Sequence, residues 1–250
     1  MIELNKIYNE DCLIGMKRIK DRSIDMILCD LPYGVTARNK WDQIIPFDEL
    51  WEHYNRIIKD DGAIVLFANG MFTADLMQSN RKNWKYNLVW GKVLPSGHLN
   101  AKKQPMREHE DICVFYKKQP TYNPQMVKGK PSHSVGKAEG ISQEDHSRNT
   151  NYGEFKKVQT EGDMKYPKSI LTFQKPHPST TIHPTQKPVE LCEWLIKTYT
   201  NEGETVLDNC AGSGTTLIAA LNTNRNFIGF ELEEEYYNGA LERIENTYKK

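Results

Sequence analysis

Apolar positions in this chain recur with two periods, and each change of period marks an element. Residues Ile24 to Cys29, in "SIDMILC", form an apolar-rich run of strand length, as expected of a strand buried on both faces. In "FDELWEHYNRIIK" the spacing puts Phe47, Leu50, Trp51, Tyr54, Ile57 and Ile58 on one helical face, and "DGAIVLFAN" returns to strand. This is the logic of a βαβ unit. Further strands are expected at "NLVW" and "DICVFYK". From about Gln119 to Thr181 the periodicity disappears and Pro, Gly, Ser, Asn and Lys dominate, which reads as an irregular insertion with mobile stretches. Order returns after Pro188. There "VELCEWLIKTY" reads as a helix, "ETVLDNC" as a buried strand, "SGTTLIAALNTN" as a helix, "NFIGFE" as a strand and "EEYYNGALERIENTY" as a last helix. The fold class is therefore α/β, with residues 1–118 and 182–250 as two halves of one domain and 119–181 inserted between them.

A chain of 250 residues with 38% apolar content can bury a full core of this kind. Its longest uninterrupted apolar run, Ala63 to Ala68, is far too short to span a membrane, and the start "MIELNKIYNED" lacks the layout of a signal peptide. A soluble, cytoplasmic protein without a membrane partner is expected. Cys12, Cys29, Cys113, Cys192 and Cys210 include no C-x-x-C pair, so neither a disulfide framework nor a zinc ribbon is indicated. His177 and His183 do not belong to a convincing set of metal ligands in the sequence, and no metal is expected.

The formal net charge is zero, but the charges are unevenly placed. Residues 1–80 carry 9 Lys/Arg against 13 Asp/Glu, residues 81–182 carry 18 against 9, and residues 183–250 carry 6 against 11. Within the basic middle, "RKNWKYNLVWGKVLPSGHLNAKK" has six bases, no acids and three interleaved aromatics, a composition suited to phosphates and stacked bases. A solvated loop with lysines for solubility reads equally well from charge alone.

Two stretches carry candidate chemistry. "DLPY", Asp30 to Tyr33, sits where the first strand should end, and the carboxyl ends of parallel strands are where open α/β sheets gather ligands. "VLDNCAGSGTT", Val206 to Thr216, has the grammar of a nucleotide-binding turn: a strand, the acid Asp208, small residues with Gly212 and Gly214, then a helix whose amino end can face an anion. No lysine precedes Thr215 and Thr216, which disfavours a P-loop, and Gly212 and Gly214 give only part of a dinucleotide fingerprint. Glu231 ends the following strand, where an acid can accept from both hydroxyls of a ribose.

The combination of "DLPY", "LDNCAGSGTT", "GFELEEEYY" and "HPTQKP" (His183 to Pro188) resembles the S-adenosylmethionine-dependent DNA methyltransferases that modify adenine N6 or cytosine N4. Catalytic motif, variable region and cofactor motif follow one another as in the beta group. The resemblance therefore implies a circularly permuted, Rossmann-like methyltransferase sheet with an inserted target-recognition region. It covers roughly residues 5–118 and 180–248. "YNEDC" resembles a segment contacting the cofactor's adenine through Asp11, with Cys12 beside it, although a surface turn before a helix accounts for it nearly as well. Thr185 and Lys187 are implied at the methionine end, together with Asp208, Cys210, Gly212, Gly214, Thr215 and Thr216, and Glu231 at the ribose. Phe67 and Asn69 are candidates for covering the cofactor, and His109 and Glu110 for bordering the target pocket.

What the resemblance implies for the quartet is specific. Asp30 would accept one N–H of the target amine and the Leu31 carbonyl the other, stabilising charge that develops on nitrogen as it attacks. Pro32 would fix the backbone, and Tyr33 would stack on a base flipped out of duplex DNA at a cost of a few kcal/mol, recovering about 1–3 kcal/mol. No cysteine is needed as a nucleophile. The family usually has proline where Leu31 stands, which touches rigidity rather than the carbonyl. An initial aspartate favours adenine N6 by family analogy. Cytosine N4 is the runner-up, followed by an RNA or protein amide substrate and by a catalytically silent nucleic-acid-binding module. A homodimer and a cognate restriction enzyme remain open as partners, and no helix-turn-helix or zinc-finger pattern identifies the bases read by residues 119–181.

Overall fold

In the computed structural model, which describes residues 2–35, 42–129, 163–177, 179 and 181–249, the apolar blocks become the centre of an eight-stranded sheet. In chain order the elements are β1 (Lys6–Asn9), α1 (Cys12–Met16), β2 (Ile24–Asp30), α2 (Phe47–Ile57), β3 (Ile58–Ala68), α3 (Met71–Ser79), β4 (Trp84–Ser96), β5 (Arg107–Phe115), β6 (Val127–Lys128), β7 (Met164–Lys165), β8 (Ile170–Thr172), α4 (Val189–Tyr199), β9 (Thr205–Asp208), α5 (Thr215–Asn222), β10 (Asn226–Glu231) and α6 (Glu234–Tyr248). The sheet order is β1-β10-β9-β2-β3-β5-β4-β8. The first five strands run parallel, β5 is antiparallel to both its neighbours, and β8 is parallel to β4.

The chain groups into two compact units, one formed by residues up to Asn123 together with Ser169 onward, and the other by Pro124–Lys168. The second contains the short antiparallel pair β6–β7, in which the Gly129 amide donates to the Asp163 carbonyl at 2.7 Å. Residues 130–162, within the expected irregular insertion, lie outside the described residues.

The central strands are apolar on both faces because helices cover both. Met26, Leu28, Val65 and Val206 pack with Leu191, Leu195, Leu217 and Ile244 of α4, α5 and α6. Ile27, Cys29, Ile64 and Leu66 pack with Met16, Leu50, Tyr54 and Leu76 of α1, α2 and α3. All five cysteines are free thiols, and Cys29, Cys113 and Cys192 are buried in these cores. Among the described residues, no helix is long and apolar enough to cross a membrane.

Two boundaries depart from the periodicity. Ile58 leaves the helix it was expected to extend and pairs with Ile24, while Met26 pairs with Ala63, so Lys59 to Gly62 bulge out of the ladder. An Asp-Asp-Gly turn inside a strand produces this shift. β4 runs six residues beyond "NLVW", antiparallel to β5, so that Trp90 faces Glu110 and Ser96 faces Arg107.

Candidate active site

The parallel strands create a topological switch point. From β9 the chain crosses through α5 to β10 on one side, and from β2 it crosses through α2 to β3 on the other, while β2 and β9 themselves are neighbours. Connections that diverge in this way leave a crevice beyond the carboxyl ends of the strands. Here it is a cavity of about 440 Å³ lined by Asp30, Asp208 and Glu231, the last residues of β2, β9 and β10. That volume lies within the range of small-molecule and cofactor sites.

On one wall stands the quartet. The Tyr33 hydroxyl donates to Asp30 Oδ1 at 2.7 Å, and Lys187 Nζ donates to Asp30 Oδ2. Burial pushes the Asp30 carboxyl up, and Lys187 opposes that shift. The Tyr33 ring packs on Phe72 with centroids 4.9 Å apart and is half-buried. Leu31 is 4% exposed and sits in the core cluster of α1–α3. Its side chain does packing work, which explains how leucine is accommodated beside Pro32. Beyond the quartet, the Gly34 and Val35 amides donate to the two carboxylate oxygens of Asp42 at 2.8 and 2.9 Å, anchoring the chain where it leaves the strand.

On the other wall the β9–α5 turn folds under Glu231. The Gly212 amide donates to Glu231 Oε2 at 2.7 Å and the Glu233 amide to Oε1 at 2.9 Å. Burial raises the Glu231 carboxyl, and these amides restrain it. Gly214 turns the chain into α5 with φ +73°, and a Cβ there would lie 3.1 Å from the Ala240 side chain. The Cys210 amide donates to Asp208 Oδ1 at 3.1 Å. Burial nevertheless drives the Asp208 carboxyl up to about 7, against hydrogen bonds from Thr216 and Cys210. His183, ring to ring with Tyr236 at 4.3 Å, is pushed down to about 4 by burial and by Lys187.

These residues fit an S-adenosylmethionine molecule. A buried carboxyl that is costly to ionise suits an ammonium group, and the Glu231 carboxylate, lining the cavity, is an acceptor-only group of the kind a sugar diol requires. The same cavity joins both sets of groups.

Asp30, Leu31, Pro32, Tyr33, Asp11, Cys12, Thr185, Lys187, Asp208, Cys210, Gly212, Thr215, Thr216 and Glu231 all line this one cavity, as do Phe67, Glu110 and His183. Gly214 lies behind it against α6. Asp11 caps α1, its Oδ1 accepting the Leu13 amide at 2.7 Å, so the turn-before-helix reading and a place on the cavity wall are both realised. Asn69 and His109 are not among the lining residues.

The basic stretch 81–103 needs correction. Trp90 is buried with its indole N–H on the Phe173 carbonyl at 2.9 Å, and the Tyr86 hydroxyl meets that of Tyr199 at 2.8 Å. Trp84 is partly buried against the core and donates to Asn87. These rings complete the sheet's packing and are not presented for stacking on bases. Lys92 is 6% exposed and ion-paired with Glu110. Sequence reasoning missed this pairing, along with Asp42, because an isolated acid or base carries no signal of a partner distant in sequence.

Comparison with known proteins bears on the fold and the family. DNA adenine methyltransferase YhdJ of Escherichia coli (strain K12) is 28% identical, over 97% of this chain and 83% of its own. The structure of an M1.HpyAVI–SAM complex matches with a TM-score of 0.65 at 24% identity, over 96% of this chain and 98% of that one. PvuII DNA methyltransferase, which is cytosine-N4-specific, matches with a TM-score of 0.67 at 16% identity, over 98% and 91%. At such identities the two structures speak for the fold. The family model described as DNA methylase matches residues 24–242, and with that span covering both motif-bearing halves the chain belongs to the amino-methylating, S-adenosylmethionine-dependent DNA methyltransferases.

Proposed function

We propose that this chain methylates adenine N6 in duplex DNA, on a base turned out of the helix. The observation that carries the reading is the placement of Asp30 on the same cavity as Asp208 and Glu231. An exocyclic amine is a poor nucleophile because its lone pair is delocalised into the ring, so it needs acceptors that favour pyramidal nitrogen. Asp30 and the Leu31 carbonyl supply two acceptors on a rigid strand end, placed before the reaction begins. Tyr33 supports the extruded base and Pro32 holds the backbone between acid and ring. S-adenosylmethionine, when bound, supplies the electrophilic methyl group. Glu231 takes its ribose, Asp208 its ammonium, and Asp11 and Cys12 border its adenine, with Cys210, Gly212, Thr185, Thr215 and Thr216 completing the wall and Gly214 shaping the turn.

Adenine is favoured by the aspartate that opens the quartet and by the adenine methyltransferase named among the relatives. In this reading residues 1–118 and 182–250 are the two halves of the catalytic domain, and 119–181 select the sequence. The enzyme works in the cytoplasm, where a second copy of the chain and a cognate restriction enzyme are compatible partners.

The decisive experiment incubates the purified protein with labelled cofactor and duplex DNA and identifies the modified base. N6-methyladenine is expected. Asp30→Ala should retain cofactor affinity yet lose about 10²–10³-fold in turnover, the usual loss of one preorganised charge-stabilising group. Product found only as N4-methylcytosine would overturn the base assignment, and cofactor binding without transfer to any nucleic acid would favour a silent binding module.

A further inference from the structure

Behind Asp30 lies a row of buried charges reaching three elements away. Lys187, on the segment leading into α4, donates to Asp30 Oδ2 and lies 3.4 Å from Glu110 Oε2. Glu110, at the cavity end of β5, pairs through its other oxygen with Lys92 of β4. The Lys187, Lys92 and Glu110 side chains are only 7%, 7% and 12% exposed. Lys187 Nζ also sits over the Phe67 ring at 5.1 Å, which closes the remaining side of the ammonium. The ammonium is thus held from three directions, and it is aimed at the acceptor rather than at the Glu231 wall.

We infer that Lys187 and Glu110 are positioning residues for Asp30, keeping it an ionised, aimed acceptor for the target amine, and that Lys187 is not primarily a cofactor ligand. The inference rests on the proposed role of Asp30. Burial alone would favour a protonated Asp30, which would present a donor where the amine needs an acceptor. Lys187 counters this. A lone lysine would in turn cancel the charge Asp30 must offer to the nitrogen, and Glu110 prevents that by sharing the ammonium. Asp30, Lys187 and Glu110 together carry one net negative charge, and Lys92 neutralises the far end. Each Asp30 oxygen accepts a single donor, from Tyr33 or Lys187, so lone pairs remain for substrate.

The groups that face Asp30 are Tyr33 and Cys29 on its own strand end, Asp208 on β9, Lys187, Glu110 and, behind it, Lys92. Of these, Lys187 lowers the Asp30 carboxyl and Glu110 raises it. Two substitutions should therefore move the acid limb of turnover in opposite directions, measured with cofactor and DNA saturating. Lys187→Met should move it to higher pH, by about 1–3 as expected for loss of an adjacent opposite charge. Glu110→Gln should move it to lower pH while reducing turnover at the optimum. Lys187→Arg should bring the limb back toward wild type, and cofactor affinity should stay within about 2-fold in every folded variant.

A structural role for either residue would not produce opposite signs. Limbs that stay put, or move the same way, would overturn the inference, as would a large loss of cofactor affinity in Lys187→Met with the limb unmoved. If Lys187→Met does not fold, Lys187→Arg and Glu110→Gln carry the test. If wild type methylates no DNA, the functional reading fails instead. In that case, NMR titration of the carboxyl-labelled Asp30 resonance in the same variants decides the positioning claim directly, and equal titration in all of them would overturn it.

Discussion

Leu31 separates two duties that one residue can carry at once. Its carbonyl belongs to the proposed amine site, while its side chain is buried among the helices of one face of the sheet. Leu31→Ala should therefore cost about 2–5 kcal/mol of folding stability, as core truncations do, while folded molecules keep most of their turnover because the carbonyl is unchanged. Urea unfolding and turnover measured on the same preparation check both halves. Asp208 gives a second prediction, with a definite sign. Its carboxyl is raised by burial to about 7 from an ordinary 3.8. Between those values the folded chain holds a proton that the unfolded chain has lost, so this contribution to stability is full below about pH 4 and disappears as pH rises through 7. Asp208→Asn should flatten the decline of unfolding free energy between about pH 4 and pH 7, measured in denaturant series. An ammonium bound at Asp208 would favour ionisation, so cofactor binding at about pH 6.5 should release protons, seen as a buffer-dependent calorimetric heat.

At the level of elements, the β9–α5 turn depends on a conformation and a contact together. Gly214 lies at φ +73° and faces the Ala240 side chain at 3.1 Å, so Gly214→Ala should lower stability by about 1–2 kcal/mol, more than the same change in an unstrained loop. Thermal unfolding with and without cofactor would show the loss in both states. This turn was legible in the sequence because glycines, a preceding acid and a following helix occur close together between Val206 and Thr216, and the quartet was legible because its strand is an apolar block. The elements that were not legible are those with few buried positions. β1 buries only Ile7, β8 only Leu171, and α3 only Phe72, Thr73 and Leu76, with Met71 left 75% exposed. Short elements completed by their neighbours leave little periodicity of their own. The Lys187–Glu110–Lys92 row was illegible for a different reason: its members come from three separate segments, and only the folded sheet brings them together.

Across the whole molecule, the basic middle divides once the fold is known. Lys82, Lys102 and Lys103 are exposed, whereas Lys92 turns inward to Glu110. Neutralising Lys82, Lys102 and Lys103 together should flatten the log–log salt dependence of DNA affinity by about 0.9 for each phosphate they had neutralised, with cofactor affinity unchanged. Lys92→Ala should leave that slope alone and act on turnover. Filter binding across a salt series separates the two, and a full slope in the triple variant would return those lysines to a solvating role.

The attachment points of the Pro124–Lys168 unit carry a consequence for how such an enzyme diversifies. Just before it, the Asn123 amide donates to the Thr198 carbonyl at 2.8 Å; just after it, the Ser169 carbonyl accepts from the Val89 amide at 2.8 Å, and β8 joins the sheet edge. Both flanks are thus clamped to the catalytic frame by backbone pairing that is indifferent to the residues in between. Loop-closure entropy rises slowly with length, by about 0.6 kcal/mol per doubling, so a change of size between two fixed ends costs little. On the proposed reading, in which this interval selects the sequence and Asp30 serves the amine, a lineage can exchange the whole interval for another of different size and inherit a new specificity in one recombination event, with the catalytic frame passed on unaltered.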